Sequence, residues 1–147
     1  MIKLVLISLL FSVVACKNGA ETPEGLIKMF VKDTISGKVD REYYQEYTTG
    51  TLLEASLELT EEELEKTSVS KLKNVKVSIL SKNCSNEKCI ITYIIKYDTN
   101  PENKKMYKTE VKKLAEVVKE GEGWKLSDIK NLKTFHDSLE PINPLED

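Results

Sequence analysis

Residues 73–97 read KNVKVSILSKNCSNEKCIITYIIKY, and this stretch decides the fold. Val75, Val77 and Ile79 alternate with Lys76 and Ser78, the two-residue period of a half-buried strand. Cys89 to Tyr97 forms a second strand, apolar enough to be buried on both faces. A polar turn, Ser85-Asn86-Glu87-Lys88, joins the two into a hairpin. Beyond it, Asp98 to Asn103 is another polar turn. Tyr107 to Lys119 reads two ways. Val111, Leu114, Ala115 and Val118 suit a helix, whereas Tyr107, Thr109 and Val111 suit a strand with a bulge before Leu114. The residues after Lys119 favour the strand. Glu120-Gly121-Glu122-Gly123 is a tight turn, and Trp124 to Ile129 alternates again, so a second hairpin succeeds the first. Thr134 to Asp147 carries Pro141, Pro144 and the single histidine, His136, and reads as a loosely packed tail.

Towards the N-terminus the period changes to that of helices. Thr22-Pro23-Glu24 is a helix start: a side-chain acceptor, a proline at the first helical position and an acid at the positive end of the dipole. Leu26, Ile27, Phe30, Val31 and Ile35 then share one face, and Gly37 ends the helix. Asp40-Arg41-Glu42 opens a shorter helix with Tyr43, Tyr44 and Tyr47, which Thr48-Thr49-Gly50 breaks. Leu52, Leu53 and Leu57 restart a helical stripe. Thr60 with Glu63 forms a capping box opening a further weak helix that ends near Leu72. The predicted class is α+β: two to three N-terminal helices packed on a four-stranded antiparallel sheet.

The first residues are of another kind. Lys3 and the amino terminus give a positive end, Leu4 to Val14 is almost wholly apolar, and Ala15 precedes Cys16. These are the parts of a secretory signal peptide. As a helix the apolar run covers about 16 Å, against about 30 Å of hydrocarbon, too short to span a bilayer. Val13-Val14-Ala15-Cys16 resembles the lipobox of bacterial lipoproteins, although Val14 is bulkier than the usual residue there. The resemblance implies cleavage before Cys16 and a lipid on its sulfur, which anchors the chain in the bacterial cell envelope, at the outer membrane in a Gram-negative host. Two or more acyl chains anchor stably where one does not. Residues 16–21 would form a tether whose segment from Lys17 reaches at most about 17 Å. With Cys16 assigned to lipid, Cys84 and Cys89 remain, and in an exported protein an even remainder reads as a disulfide. Free thiols are the alternative. A metal would need two further ligands, and the chain offers His136 alone.

Charge narrows the function. Without residues 1–15 the 22 basic side chains fall by one against 24 acidic ones, a net charge of about −3 with both signs interspersed. Nucleic acid would call for a basic patch, and anionic lipid for a polybasic run, and the chain shows neither. No phosphate loop, nucleophile elbow or metal motif occurs, and no cofactor is implied.

The order of elements is similar to that of the nuclear transport factor two-like superfamily. The matching residues are Thr22-Pro23-Glu24-Gly25-Leu26-Ile27-Lys28-Met29-Phe30 and Gly121-Glu122-Gly123-Trp124-Lys125-Leu126-Ser127-Asp128, within a domain spanning 22–132 that leaves 133–147 as the tail. The resemblance implies a cone: a curved sheet wrapping the long helix, with a cavity at the wide end and Trp124 packed against the helices. Some members are isomerases or cyclases, others binding, dimerisation or delivery modules, so fold does not choose function. The leading expectation is a non-enzymatic module that binds a small molecule or protein, with a homodimer among the arrangements. The alternatives are a cavity-type enzyme of isomerase or cyclase kind and a surface interaction or inhibitor protein. Tyr93, Tyr97 and Tyr107 are candidates to line the cavity, with Asp98 at a strand end.

Overall fold

The computed structural model describes residues 20–67, 72–99 and 107–138. The predicted signal peptide and Cys16 lie outside the described residues, as do residues 68–71, 100–106 and 139–147. Among the described residues four helices precede the sheet: α1 (Pro23–Ile35), α2 (Arg41–Tyr47), α3 (Gly50–Glu58) and α4 (Glu61–Thr67). Four strands follow, β1 (Lys73–Cys84), β2 (Lys88–Thr99), β3 (Tyr107–Glu120) and β4 (Gly123–Ser138), in the order β1-β2-β3-β4 and antiparallel throughout. The fold class is the α+β arrangement expected. Among the described residues no helix is long and apolar enough to cross a membrane.

Helix α1 begins and ends by its own chemistry. Thr22 Oγ1 accepts from the Gly25 N–H at 3.0 Å, and Pro23 takes the first helical position. At the other end Gly37 adopts φ 68°, its N–H donating to Thr34 O and the Lys38 N–H to Asp33 O. This Schellman motif satisfies carbonyls that the helix leaves open. Between these ends Leu26, Ile27, Phe30 and Val31 are buried against Ile91, Tyr93 and Ile95 of β2 and Ala115 and Val117 of β3. Each such side chain contributes about 1.5–3 kcal/mol when fully buried. An ion pair from Glu24 to Lys82 ties the first turn of α1 to β1 and holds the Glu24 carboxyl below its ordinary range.

The short helices are joined by side chains. Asp40 caps α2 by accepting from the Tyr43 N–H at 2.8 Å. Arg41 reaches over to α3, donating to Leu59 O at 2.7 Å and Leu57 O at 3.3 Å, and pairs with Glu61 of α4 at 2.8 Å. It thereby closes the carbonyl end of a helix with no basic residue in its last turn. The expected capping box forms: Thr60 N–H donates to Glu63 Oε2 at 2.8 Å, and Glu63 N–H to Thr60 Oγ1 at 3.3 Å. Helix α4 is described over Glu61–Thr67, and the stretch that leads on to the expected end near Leu72 lies outside the described residues. Phe30 meets Tyr44 edge-on at 5.8 Å and Tyr43 at 6.0 Å, joining α2 to α1.

Segment 107–119 is strand, as expected, and not helix. It is paired along its length with β2 on one side and β4 on the other, and such pairing overrides local preference. Register shifts in β1, and between β3 and β4 at Lys112/Lys113 and Glu116/Val117, mark bulges that bend the strands. The tail reading of 133–147 is corrected in its first part. β4 continues to Ser138, with Thr134 opposite Val111 and His136 opposite Thr109. Side chains 131–137 are all exposed, so no buried row marks this strand in the sequence; backbone pairing to β3 holds it.

The α2–α3 link is sewn to the sheet. Thr48 bridges Leu126 in parallel, Thr49 N–H donates to Leu126 O at 2.8 Å, and Thr51 Oγ1 donates to Ser127 O at 3.1 Å. Gly50 takes φ 54° there, and a Cβ would meet Ser127 O at an ordinary 3.5 Å. Space allows a side chain; the left-handed backbone does not favour one. Gly50→Ala is therefore expected to lower the unfolding free energy by about 1–2 kcal/mol in urea titration, and an unchanged midpoint would remove the strain argument.

Candidate functional site

Directly opposed residues of an antiparallel pair share a face. One row across the sheet is therefore Ile79, Tyr93, Lys113 and Asn131, and the next is Val77, Ile95, Val111 and Thr134. Helix α1 lies over this face with Phe30, Val31, Thr34 and Ile35. Between helix and sheet is a cavity of about 390 Å³, to which Leu72, Tyr97 and Ile129 also contribute. The size is that of a small-molecule site, and the wall is mainly apolar.

Its polar groups differ in how well they are satisfied. Thr34 Oγ1 donates to Phe30 O at 2.8 Å, and Asn131 Nδ2 donates to Thr134 Oγ1 at 3.1 Å. Lys113 stands on a strand face whose neighbours Val111, Ala115 and Val117 are buried and apolar. No described residue forms an ion pair or side-chain hydrogen bond with it, and burial pulls its ammonium below the ordinary lysine range. The wall residues include no carboxylate and no imidazole. Tyr93 is 1% exposed, and burial raises both its hydroxyl and that of Tyr97, so both stay neutral phenols at physiological pH. Neither hydroxyl has a hydrogen-bond partner among the described residues.

Of the tyrosines singled out in the sequence, Tyr93 and Tyr97 lie on the cavity wall. Tyr107 does not; it pairs with Thr99 at the far end of β3. Asp98 sits outside the cavity, accepting from Asn74 Nδ2 at 2.6 Å, in an open cleft at the sheet end with Lys76, Lys96, Glu110 and Asp137. His136 Nδ1 is 3.0 Å from Thr109 Oγ1 in the same cleft. Sequence reasoning misses Lys113. Its signal is a cation breaking the alternation Thr109, Val111, Ala115, Val117, hidden because a strand is only one of two readings of that segment. Among the described residues no group of three or more histidines, cysteines or acids could hold a metal.

Cys84 and Cys89 face each other as a cross-strand pair at disulfide-bonding distance, with Cα atoms 4.0 Å apart. The adjoining pair is closed by the Ser85 N–H donating to Lys88 O at 2.8 Å. The cysteines therefore occupy the non-hydrogen-bonded position, where strands approach most closely. Cys89 is buried in the core while Cys84 is exposed.

No family model matches the chain, and no curated protein does. Solved structures do. A SEC-C motif containing protein from Rhodopseudomonas palustris superposes with a TM-score of 0.58 at 12% identity, over 78% of this chain and 82% of that one. The intermembrane space region of the chloroplast protein ARC6 superposes with a TM-score of 0.54 at 18% identity, over 77% of this chain and 95% of that one. Both are small α+β proteins, and the likeness is one of fold alone.

Lys113 has a measurable consequence. With its folded pKa below the ordinary 10.5, the half-buried ammonium carries a desolvation cost wherever it is charged in the folded state. It fades as pH rises through the folded value and the proton leaves. Lys113→Met should therefore raise the melting temperature at pH 7, with the gap to wild type narrowing as pH approaches 10.5. A gap that stayed constant with pH would show that charge burial is not the cause.

Proposed function

We propose that the chain is a lipid-anchored protein of the bacterial envelope whose domain, of nuclear transport factor two-like type, binds a small apolar molecule under α1 without transforming it. The observation that carries this reading is the cavity wall: apolar side chains from α1, β2, β3 and β4 around one unpaired cation. An isomerase-type reaction asks for a carboxylate base beside oxyanion donors. Asp98, the acid that the sequence sets near the tyrosines, is engaged with Asn74 in the separate cleft. Tyr93 and Tyr97 are held as neutral phenols, suited to donating hydrogen bonds rather than accepting protons.

The anchor rests on the sequence alone. The lipobox-like Val13-Val14-Ala15-Cys16 would place lipid six residues before the Thr22 cap of α1. The cavity would then work close to the membrane surface, where apolar molecules concentrate. The cysteine pair at the hairpin is consistent with an oxidising compartment.

Two experiments test the two halves separately. Metabolic labelling with a palmitate analogue should mark the wild-type protein and not Cys16→Ala; equal labelling of both would remove the anchor. Native mass spectrometry of the mature protein should show a co-purified mass of small-molecule size. Repeated absence of any adduct would count against a ligand in the cavity.

A further inference from the structure

We propose that the cavity holds a medium-chain carboxylate, its hydrocarbon tail against Phe30, Ile35, Ile95 and Val111 and its head group on Lys113 and Tyr93. The inference rests on the reading of the cavity as a ligand site and specifies what that site selects.

Three observations converge on the class. The first is charge. Lys113 is the only ionisable cation on the wall, and no described acid pairs with it. A half-buried ammonium is partly desolvated, and the partner that would offset this is an anion. A cationic ligand would be repelled, and a neutral one would leave the ammonium as it stands. The second is the polarity of the hydrogen-bonding groups. Tyr93 lies directly opposite Lys113 in the β2–β3 register, and both residues line the cavity. Both can donate there, while Thr34 and Asn131 are already engaged within the protein. Two donors side by side match the two oxygens of a carboxylate, and such charge-assisted bonds are stronger than neutral ones. The third is size. The cavity, about 390 Å³ and partly open to solvent, is of small-molecule size, and a ten-carbon chain with a carboxylate is a ligand of that scale. Most of the remaining wall is apolar (Phe30, Val31, Ile35, Ile95, Val111 and Ile129), which suits an acyl tail.

The test uses the mature chain, residues 16–147, with Cys16→Ser so that no attached lipid competes; it contains every described residue. Isothermal titration compares decanoate, decanol and decyltrimethylammonium on this protein at pH 7. Decanoate is expected to bind at least about tenfold more tightly than either, the worth of one charge-assisted hydrogen bond. Lys113→Met should abolish the preference for decanoate over decanol, and Lys113→Arg should retain it; circular dichroism and melting curves report whether each variant folds. The comparison of the three probes needs no variant. Decanol binding as tightly as decanoate would overturn the carboxylate inference and leave the ligand site standing. Failure of all three probes to bind would overturn the ligand site itself. Carboxyl-labelled decanoate adds an independent readout: its carbon-13 resonance should shift on binding to the wild type and move back towards the free value with Lys113→Met.

Discussion

A thirteen-residue helix is marginal by itself in water, and a sheet with one apolar face needs that face covered. In this protein each solves the other's problem. Leu26, Ile27, Phe30 and Val31 lie on Ile91, Tyr93, Ile95, Ala115 and Val117, and the other elements are arranged around that contact. The Glu24–Lys82 ion pair ties the helix to one end of β1, and the Schellman turn at Gly37 sends the chain back across the tyrosines of α2. The short helices contribute fewer core side chains, chiefly Tyr44 and Leu64. They are positioned by Arg41 and by the bonds of Thr48, Thr49 and Thr51 to β4.

The cavity lies at the same helix–sheet contact. Ala115 is fully buried in the core, and two residues on Lys113 stands in place of an apolar side chain and lines the cavity. The bulge at Lys112/Lys113 bends β3 and β4 at that level.

Much of this is legible in the sequence. Helix α1 announces itself by its cap, its proline and its stripe, and the first hairpin by the switch to a two-residue period with a polar turn. These features are local, and local rules suffice. Features that depend on distant partners are not legible in this way. Tyr107–Glu120 carries both helical and strand patterns, and its two neighbouring strands decide between them. Lys130 to Asp137 has no buried face, so no alternation could reveal it as strand, and His136 reads as part of a tail. Tyr93 and Tyr97 can be picked as wall residues because they sit on the core-facing side of an evident strand. Lys113 cannot, because its face is undefined until the strand is. Tyr107 lies on the same side of β3 as Lys113, yet too far along the strand to reach the cavity.

The outer half of β4 bears on solubility rather than on stability. Among the described residues it ends the sheet, with a single bridge at Leu126 covering its beginning. Beyond that bridge Leu132 and Phe135 stand about half exposed on an open edge, the kind of strand onto which further strands can stack without limit. Lys130 and Lys133 interrupt this apolar run, and Lys133 Nζ lies 4.2 Å from the centre of the Phe135 ring. A second copy approaching edge-on would bring like charges together and would have to strip a cation from its aromatic seat. These lysines act as gatekeepers. They add little to the folded state of one molecule and discourage many molecules from growing into a fibre.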